Sequence, residues 1–480
     1  MGGVQKFNFC TRHFLQACEY SLLFRWKCQI GKANNYRLLS LTFYVIVQME
    51  SKACFGFSLL WTQNRNEDPT IYRQPRPAPE LTPNIAAGSS GQGLWVAKVY
   101  YWLFFGAIGC LVPFFNIYLE EQGLSGVEIG WLGSIAPMIA LGANPFWGAV
   151  ADRWQIHRLV LALCAFVAGL VSIFFLGVRS FWPLMILVTA LAFFRTPIGS
   201  IVDSTVMDMV KNTGSSYGQQ RMWGTVGFVL ATFGLGQIIN SSNMSLIFWL
   251  HAGLLGLACA GLSFFLPIQS ASRKFGLWQG LRILTTQGGY LSFLIAMTLL
   301  GMGISAYIGF LGLHILALGG SAEQVGLAWA VNALLEIPMM YYGARWFAHY
   351  SHKRLIMTGF LGFSLVWTAA ALAPTPALII AVLPGMGICF GFFWVAAVGY
   401  ASEAAPPGLS ATAQALMGAA QSGLGWSLGS VVAGYLWDTT NGHVVFFFAA
   451  FTFALALLIF WSGNRGTTST GAVGVGPAEF

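Results

Sequence analysis

GLSGVEIGWLGSIAPMIALGANPFWGAVADRWQIHRLV runs from Gly123 to Val160, and GGSAEQVGLAWAVNALLEIPMMYYGARWFAHYSHKRLI runs from Gly319 to Ile356. A shift of 196 residues carries Ser125 onto Ser321, Gly130 onto Gly326, and Arg158-Leu159 onto Arg354-Leu355. Each copy is a polar turn, then an apolar run, then a charged loop. Either run is long enough to cross ~30 Å of hydrocarbon at ~1.5 Å per residue. Both copies carry their cations at the same end, so they share one orientation across a membrane. The chain thus reads as two copies of one membrane-spanning unit related by a parallel repeat.

Working outward from the repeat, composition agrees. Of 480 residues, 56% are hydrophobic and 8% charged, against about 25% charged in an average soluble domain. So few charges cannot cover the surface of a soluble protein this long. The net charge of +8 falls on alternate loops, which makes it a topological signal and not a nucleic-acid footprint. The eight cysteines (Cys10, Cys18, Cys28, Cys54, Cys110, Cys164, Cys259 and Cys389) have no metal-like or redox-like spacing, so no metal, cofactor or disulfide framework is expected. There is no phosphate-cradling glycine loop and no nucleophile triad, which argues against ATP as the energy source and against an enzyme.

Apolar segments are expected at about 97–119, 126–150, 158–177, 181–205, 219–239 and 244–266, then 289–317, 323–347, 353–373, 377–401, 410–436 and 443–462. The polar stretch PIQSASRKFGLWQGLRILTTQGG separates the two groups of six. The organisation that follows is an N-terminal extension over 1–93, a six-helix bundle over 94–266, a connecting loop over 267–288, a second bundle over 289–464 and a tail over 465–480. The extension is basic, then Pro-rich, then Gly/Ser-rich. It reads as a disordered cytoplasmic segment and linker, with Met49 as an alternative initiator. One set of loops holds Arg153, Arg158, Lys211, Arg273, Lys274, Arg282, Arg345, Lys353, Arg354 and Arg465. The other holds Arg179 with Glu120, Glu121, Glu128, Glu323 and Asp438. The positive-inside rule places both termini in the cytoplasm, and a cell inner membrane is the expected location.

Charge inside such segments is costly and marks a pathway. Arg195 lies near the middle of the fourth segment, with Pro197 and Gly199 beyond it able to bend the helix. A guanidinium there would hold a carboxylate substrate, or pair with Glu336 across the two halves. Asp203 and Arg221 sit nine residues either side of a turn centred near Asn212, hence at similar depth, where they could pair. The alternatives are an interfacial Arg221 that snorkels and a helix-end Asp203. Glu336 is the acid buried in the second half, and a desolvated carboxyl is a candidate proton carrier, with Asp203 the second candidate. His314 is a lone histidine on an apolar segment, more simply structural than a relay.

GAVADRWQIHR, from Gly148 to Arg158, resembles the loop signature of the major facilitator superfamily: a glycine, an Asp with a basic neighbour, then a basic cluster. Gly148, Asp152, Arg153 and Arg158 are the candidate gating residues. The sequence departs from the pattern with Gln155 for a Gly and His157 for an Arg, and Ala348 replaces Asp152 in the second copy. YGQQRMWGTVGF resembles the fifth-helix start of the lactose permease, 3-phenylpropionate permease and nucleoside–proton symporter groups. That resemblance implies an all-α membrane protein of twelve transmembrane helices in two pseudo-symmetric six-helix bundles. It also implies substrate contacts at Arg221 and Asp203, with an aromatic ring at Phe228 stacking on substrate and Trp223 as a second aromatic candidate. A Glu336 before Ile-Pro resembles the 3-phenylpropionate permease group. The His-Glu pair of the lactose permease tenth helix has no match in PGMGICFGFFWVAAVGY, which removes one reason to expect a galactoside.

The expected function is secondary transport by alternating access: proton-coupled symport of a small polar organic solute (an aromatic acid, sugar or nucleoside) by a monomer. An efflux antiporter, a non-transporting sensor on the same fold, and a lipid-handling flippase or enzyme are the alternatives.

Overall fold

A computed structural model describes residues 89–210, 215, 217–268, 289–347, 349–405 and 409–465. The extension up to 88, the turn at Asn212, the loop cations Lys211, Arg273, Lys274 and Arg282, Ala348 and the tail beyond 465 lie outside the described residues.

Among the described residues the chain forms twelve membrane-length rods. They are α1 Ser89–Glu121, α2 Gly126–Trp154, α3 His157–Phe174, α4 Phe181–Val210, α5 Tyr217–Gly236, α6 beginning at Leu246–His251, α7 Tyr290–Ala317, α8 Ala322–Trp346, α9 His352–Leu372, α10 Pro376–Glu403, α11 beginning at Ser410–Gly418, and α12 Gly442–Gly463. Two rods are interrupted. α6 continues through a π-helical stretch, Ala252–Cys259, into Ala260–Leu262, and α11 through another, Ala419–Gly425, into Trp426–Thr439. π-turns of this kind gather at functional places. α1 begins inside the Gly/Ser-rich stretch that sequence reads as linker. Nine rods are long and apolar enough to cross a membrane on composition alone. α5, α8 and α11 are not among them. Those three carry Arg221, Glu336 and the Gln421-Ser422 pair. The outside of the bundle is apolar, with Ile186 at 70% and Leu257 and Phe265 at 71% exposure. So extensive a bare apolar surface belongs in a bilayer.

The halves meet where α2 crosses α11 and where α5 crosses α8. Both crossings use small residues. A Cβ on Gly434 would lie 2.2 Å from the Gly126 carbonyl, and one on Gly130 would lie 2.5 Å from the Ser430 carbonyl. On the other crossing a Cβ on Gly236 would lie 3.1 Å from Gly326 Cα. Backbones this close gain dispersion contact that larger side chains would forbid. At the same end Asp438, closing α11, accepts from the amides of Gly126 (2.6 Å) and Val127 (2.8 Å) and so caps α2 across the halves.

Prolines inside the helices leave orphan carbonyls four residues back. Pro197 frees the carbonyl of Phe193, and the Trp147 indole N–H donates to it at 3.1 Å. Pro113 frees the carbonyl of Gly109, and the Thr232 hydroxyl donates to it at 3.0 Å. α4 therefore stays one helix through Pro197. Trp147→Phe removes that donor while keeping most of the ring. It is expected to destabilise the protein by about 1–2 kcal/mol, read as a lower midpoint of thermal unfolding in detergent.

Candidate functional site

A cavity of about 320 Å³ lies at the crossing of the two halves. α1, α2 and α4 wall it on one side, α7 and α11 on the other. Its charged lining residue is Arg195, and apolar groups such as Phe115, Ile129, Leu191, Phe310 and Trp426 make up most of the wall. Arg195 has no ion-pair or hydrogen-bond partner among the described residues. Its titratable neighbour is His251, which is fully buried with neither ring nitrogen partnered. Asn116, on the same wall, donates to the Gly309 carbonyl at 2.8 Å and ties α1 to α7.

A second cluster lies further toward the loop after α4. Tyr101 of α1 donates to Asp203 at 2.6 Å, and Tyr217 of α5 adds a second phenol to that carboxylate. Arg221 lies over the Phe105 ring, 3.7 Å from its centre, and 5.8 Å from that of Tyr101. Gly224 makes room for this stack, since a Cβ there would lie 2.6 Å from Phe105 and 2.9 Å from the Arg221 guanidinium. Asp203 and Arg221 do come to one place, as their spacing predicts. They make no direct ion pair, because Tyr101 and Phe105 stand between them. Sequence reading missed both rings, although their i, i+4 spacing in KVYYWLFF puts them on one helix face.

Glu336 sits on α8 where α10 comes close. Gly387 and Gly391 allow this, a Cβ on either lying 3.2–3.5 Å from Glu336 backbone atoms. Its carboxyl has no hydrogen-bond partner among the described residues. Its charged neighbour is Arg221 across the halves, and Tyr307 of α7 is also within electrostatic reach. The Arg195–Glu336 pair that sequence left open is not formed. Phe228 meets Trp329 of α8, ring centres 6.0 Å apart. Trp223 lies beside Lys98, 5.7 Å from ammonium to ring. In α10, Phe393 packs in the core against Phe360 and Phe363 of α9. His314 sits edge-on to His443, 4.7 Å between ring centres.

In the loop after α2, Asp152 pairs with His157 at 2.9 Å, inside its own half. Gln155 closes α2 in the left-handed conformation (φ 54°), at the position where the loop signature has glycine. Its side chain donates to the Asp152 carbonyl at 2.6 Å. A left-handed L-residue costs about 1–2 kcal/mol, partly offset by the extra freedom glycine loses on folding. Gln155→Gly is therefore expected to stabilise the protein by less than about 1 kcal/mol, checked by thermal unfolding.

Twelve helices in two pseudo-symmetric bundles around a central cavity define a major facilitator transporter. The chain belongs to the MFS_1 like family, which it matches over residues 94–448. It is 30% identical over 379 residues to the maltose permease of Geobacillus stearothermophilus, covering 78% of this chain and 95% of that protein. It is 26% identical over 367 residues to a probable 3-phenylpropionic acid transporter of Escherichia coli (strain K12), covering 74% and 94%. The crystal structure of the nucleoside transporter NupG superposes with a TM-score of 0.68 at 19% identity, covering 78% of this chain and 99% of that one. At that identity the likeness concerns the fold.

Proposed function

We propose that this protein is a proton-coupled symporter of a small organic solute, working by alternating access as a monomer in a cell inner membrane with both termini cytoplasmic. The observation that carries this reading is the Arg195 cavity, walled by helices of both halves, so that rocking one half on the other exposes it to either side in turn. Arg195 holds the solute. Arg221, Asp203 and Glu336 form the proton-responsive cluster, with Glu336 and Arg221 facing each other across the halves. Phe228 and Trp223 shape the path on α5, and Gly148, Asp152, Arg153 and Arg158 form the gating loop. Symport is supported by a carboxyl that trades two neutralising partners, a proton and a guanidinium, as the halves move.

Purified protein in liposomes tests this by counterflow and by uptake with and without a pH gradient. Counterflow together with accumulation that follows an inward proton gradient and collapses with a protonophore is the expected result. Extrusion driven by that gradient would instead mark an antiporter, and absent counterflow would favour a sensor.

A further inference from the structure

We infer that the central cavity takes a monoanion, a single carboxylate on a compact apolar body, and not a sugar or nucleoside. The inference rests on the transport reading and names its substrate class. Arg195 brings one positive charge into a space with no lining carboxylate. Nor does a described residue outside that lining pair with it. A half-buried guanidinium on a mostly apolar wall, with no protein counter-charge among the described residues, is costly, and an anionic ligand is the group that offsets it. His251 supplies no negative charge in any protonation state. One cation balances one negative charge, which disfavours phosphate monoesters and dicarboxylates.

The rest of the wall speaks against polyols. A sugar needs several paired donors and acceptors, because each hydroxyl left without a partner weakens binding. Here three lining polar groups are committed to protein atoms, and the Thr196 and Ser430 hydroxyls, without a partner among the described residues, are too few to pair the hydroxyls of a sugar. Asn116 donates to Gly309, Ser305 to Met302 and Ser422 to Gln421. The remaining surface offers Phe115, Leu132, Ile308 and Trp426, which suit an alkyl or aryl body. The volume stands at the low end of the ~300–1,000 Å³ typical of ligand sites, enough for one ring or a short branched chain.

The test uses the full-length protein in detergent and isothermal titration with matched pairs: benzoate, 3-phenylpropionate and cyclohexanecarboxylate, each beside its amide, with maltose and uridine as neutral polar probes. At least one carboxylate is expected to bind saturably, roughly 10- to 100-fold tighter than its amide. Arg195→Gln should bring that ratio close to one. Arg195→Lys should keep a preference for the acid with weaker affinity, and it serves if the Gln variant does not fold. Tighter binding of maltose or uridine than of every carboxylate would overturn the inference. So would an acid-to-amide ratio near one in the wild-type protein, or an unchanged ratio in Arg195→Gln. Carboxylate binding without counterflow would refute transport and leave the site standing, whereas maltose counterflow without carboxylate binding would do the reverse.

Discussion

Glu336→Gln is expected to abolish proton-driven accumulation while counterflow continues at close to the wild-type rate. Each proton moved down a one-unit pH gradient supplies about 1.4 kcal/mol, or a tenfold accumulation ratio per proton. The Gln variant should fall to a ratio of one under that gradient. The substitution keeps size and polarity but cannot take up a proton. It also leaves the close approach of α8 to α10 untouched, since Gly387 and Gly391 meet Glu336 through its backbone. Counterflow needs the halves to rock with solute bound and no net proton movement, so it survives. Glu336 faces Arg221, and Arg221 rests on Phe105 beside the Tyr101–Asp203 bond. On the proposed coupling, protonation of Glu336 would free Arg221 to turn toward Asp203, a switch confined to α1, α4, α5 and α8. Gradient-driven accumulation left intact by Glu336→Gln would sink the assignment. Asp203 would then be the next carboxyl to test.

Much of the architecture is readable from the sequence because lipid imposes it. Every expected span overlaps a helix, with ends displaced by a few residues where polar turns let helices run on, as α2 does to Trp154 and α4 to Val210. The site is less readable. The charges announce themselves by their cost, but their partners do not. Tyr101 bonds Asp203 from 102 positions away, and nothing in a Tyr on an apolar segment separates it from packing. A bend at Pro197, which the sequence permits, would bring Arg195 closer to Asp203. Trp147 satisfies the freed carbonyl, α4 stays helical, and eight residues keep the two charges about 12 Å apart along the axis. What reads as one charge cluster is thus two. Arg195 faces the central cavity, and Asp203 joins Arg221 beneath it. The π-helical stretch in α11 is likewise invisible in a glycine-rich run, although it places Ser422 and Trp426 at the cavity wall.

Gly434→Leu is expected to lower counterflow by more than about tenfold without unfolding the protein. Gly434 lies where α11 crosses α2, at the end of the bundle that the loop charges assign to the outside. A Cβ there would stand 2.2 Å from the Gly126 carbonyl and 3.0 Å from Gly130 Cα, both backbone atoms that cannot swing away. An isobutyl side chain must push the two helices apart by several ångströms, and the Asp438 bonds to Gly126 and Val127 break with them. The three atoms nearest to such a Cβ all belong to α2, so the clash falls on the seam between the halves. The expected molecule is folded but unable to seal its outer seam, so one of the two states that alternating access requires is lost. Two measurements separate this from simple destabilisation. The thermal midpoint should move little, since the halves retain their own cores. A cysteine placed at Ser430, which lines both the cavity and the seam, should react faster with a membrane-impermeant thiol reagent added outside. Unchanged labelling with lost transport would mean that the variant fails for another reason, and wild-type transport would mean that the seam does not need to close this tightly.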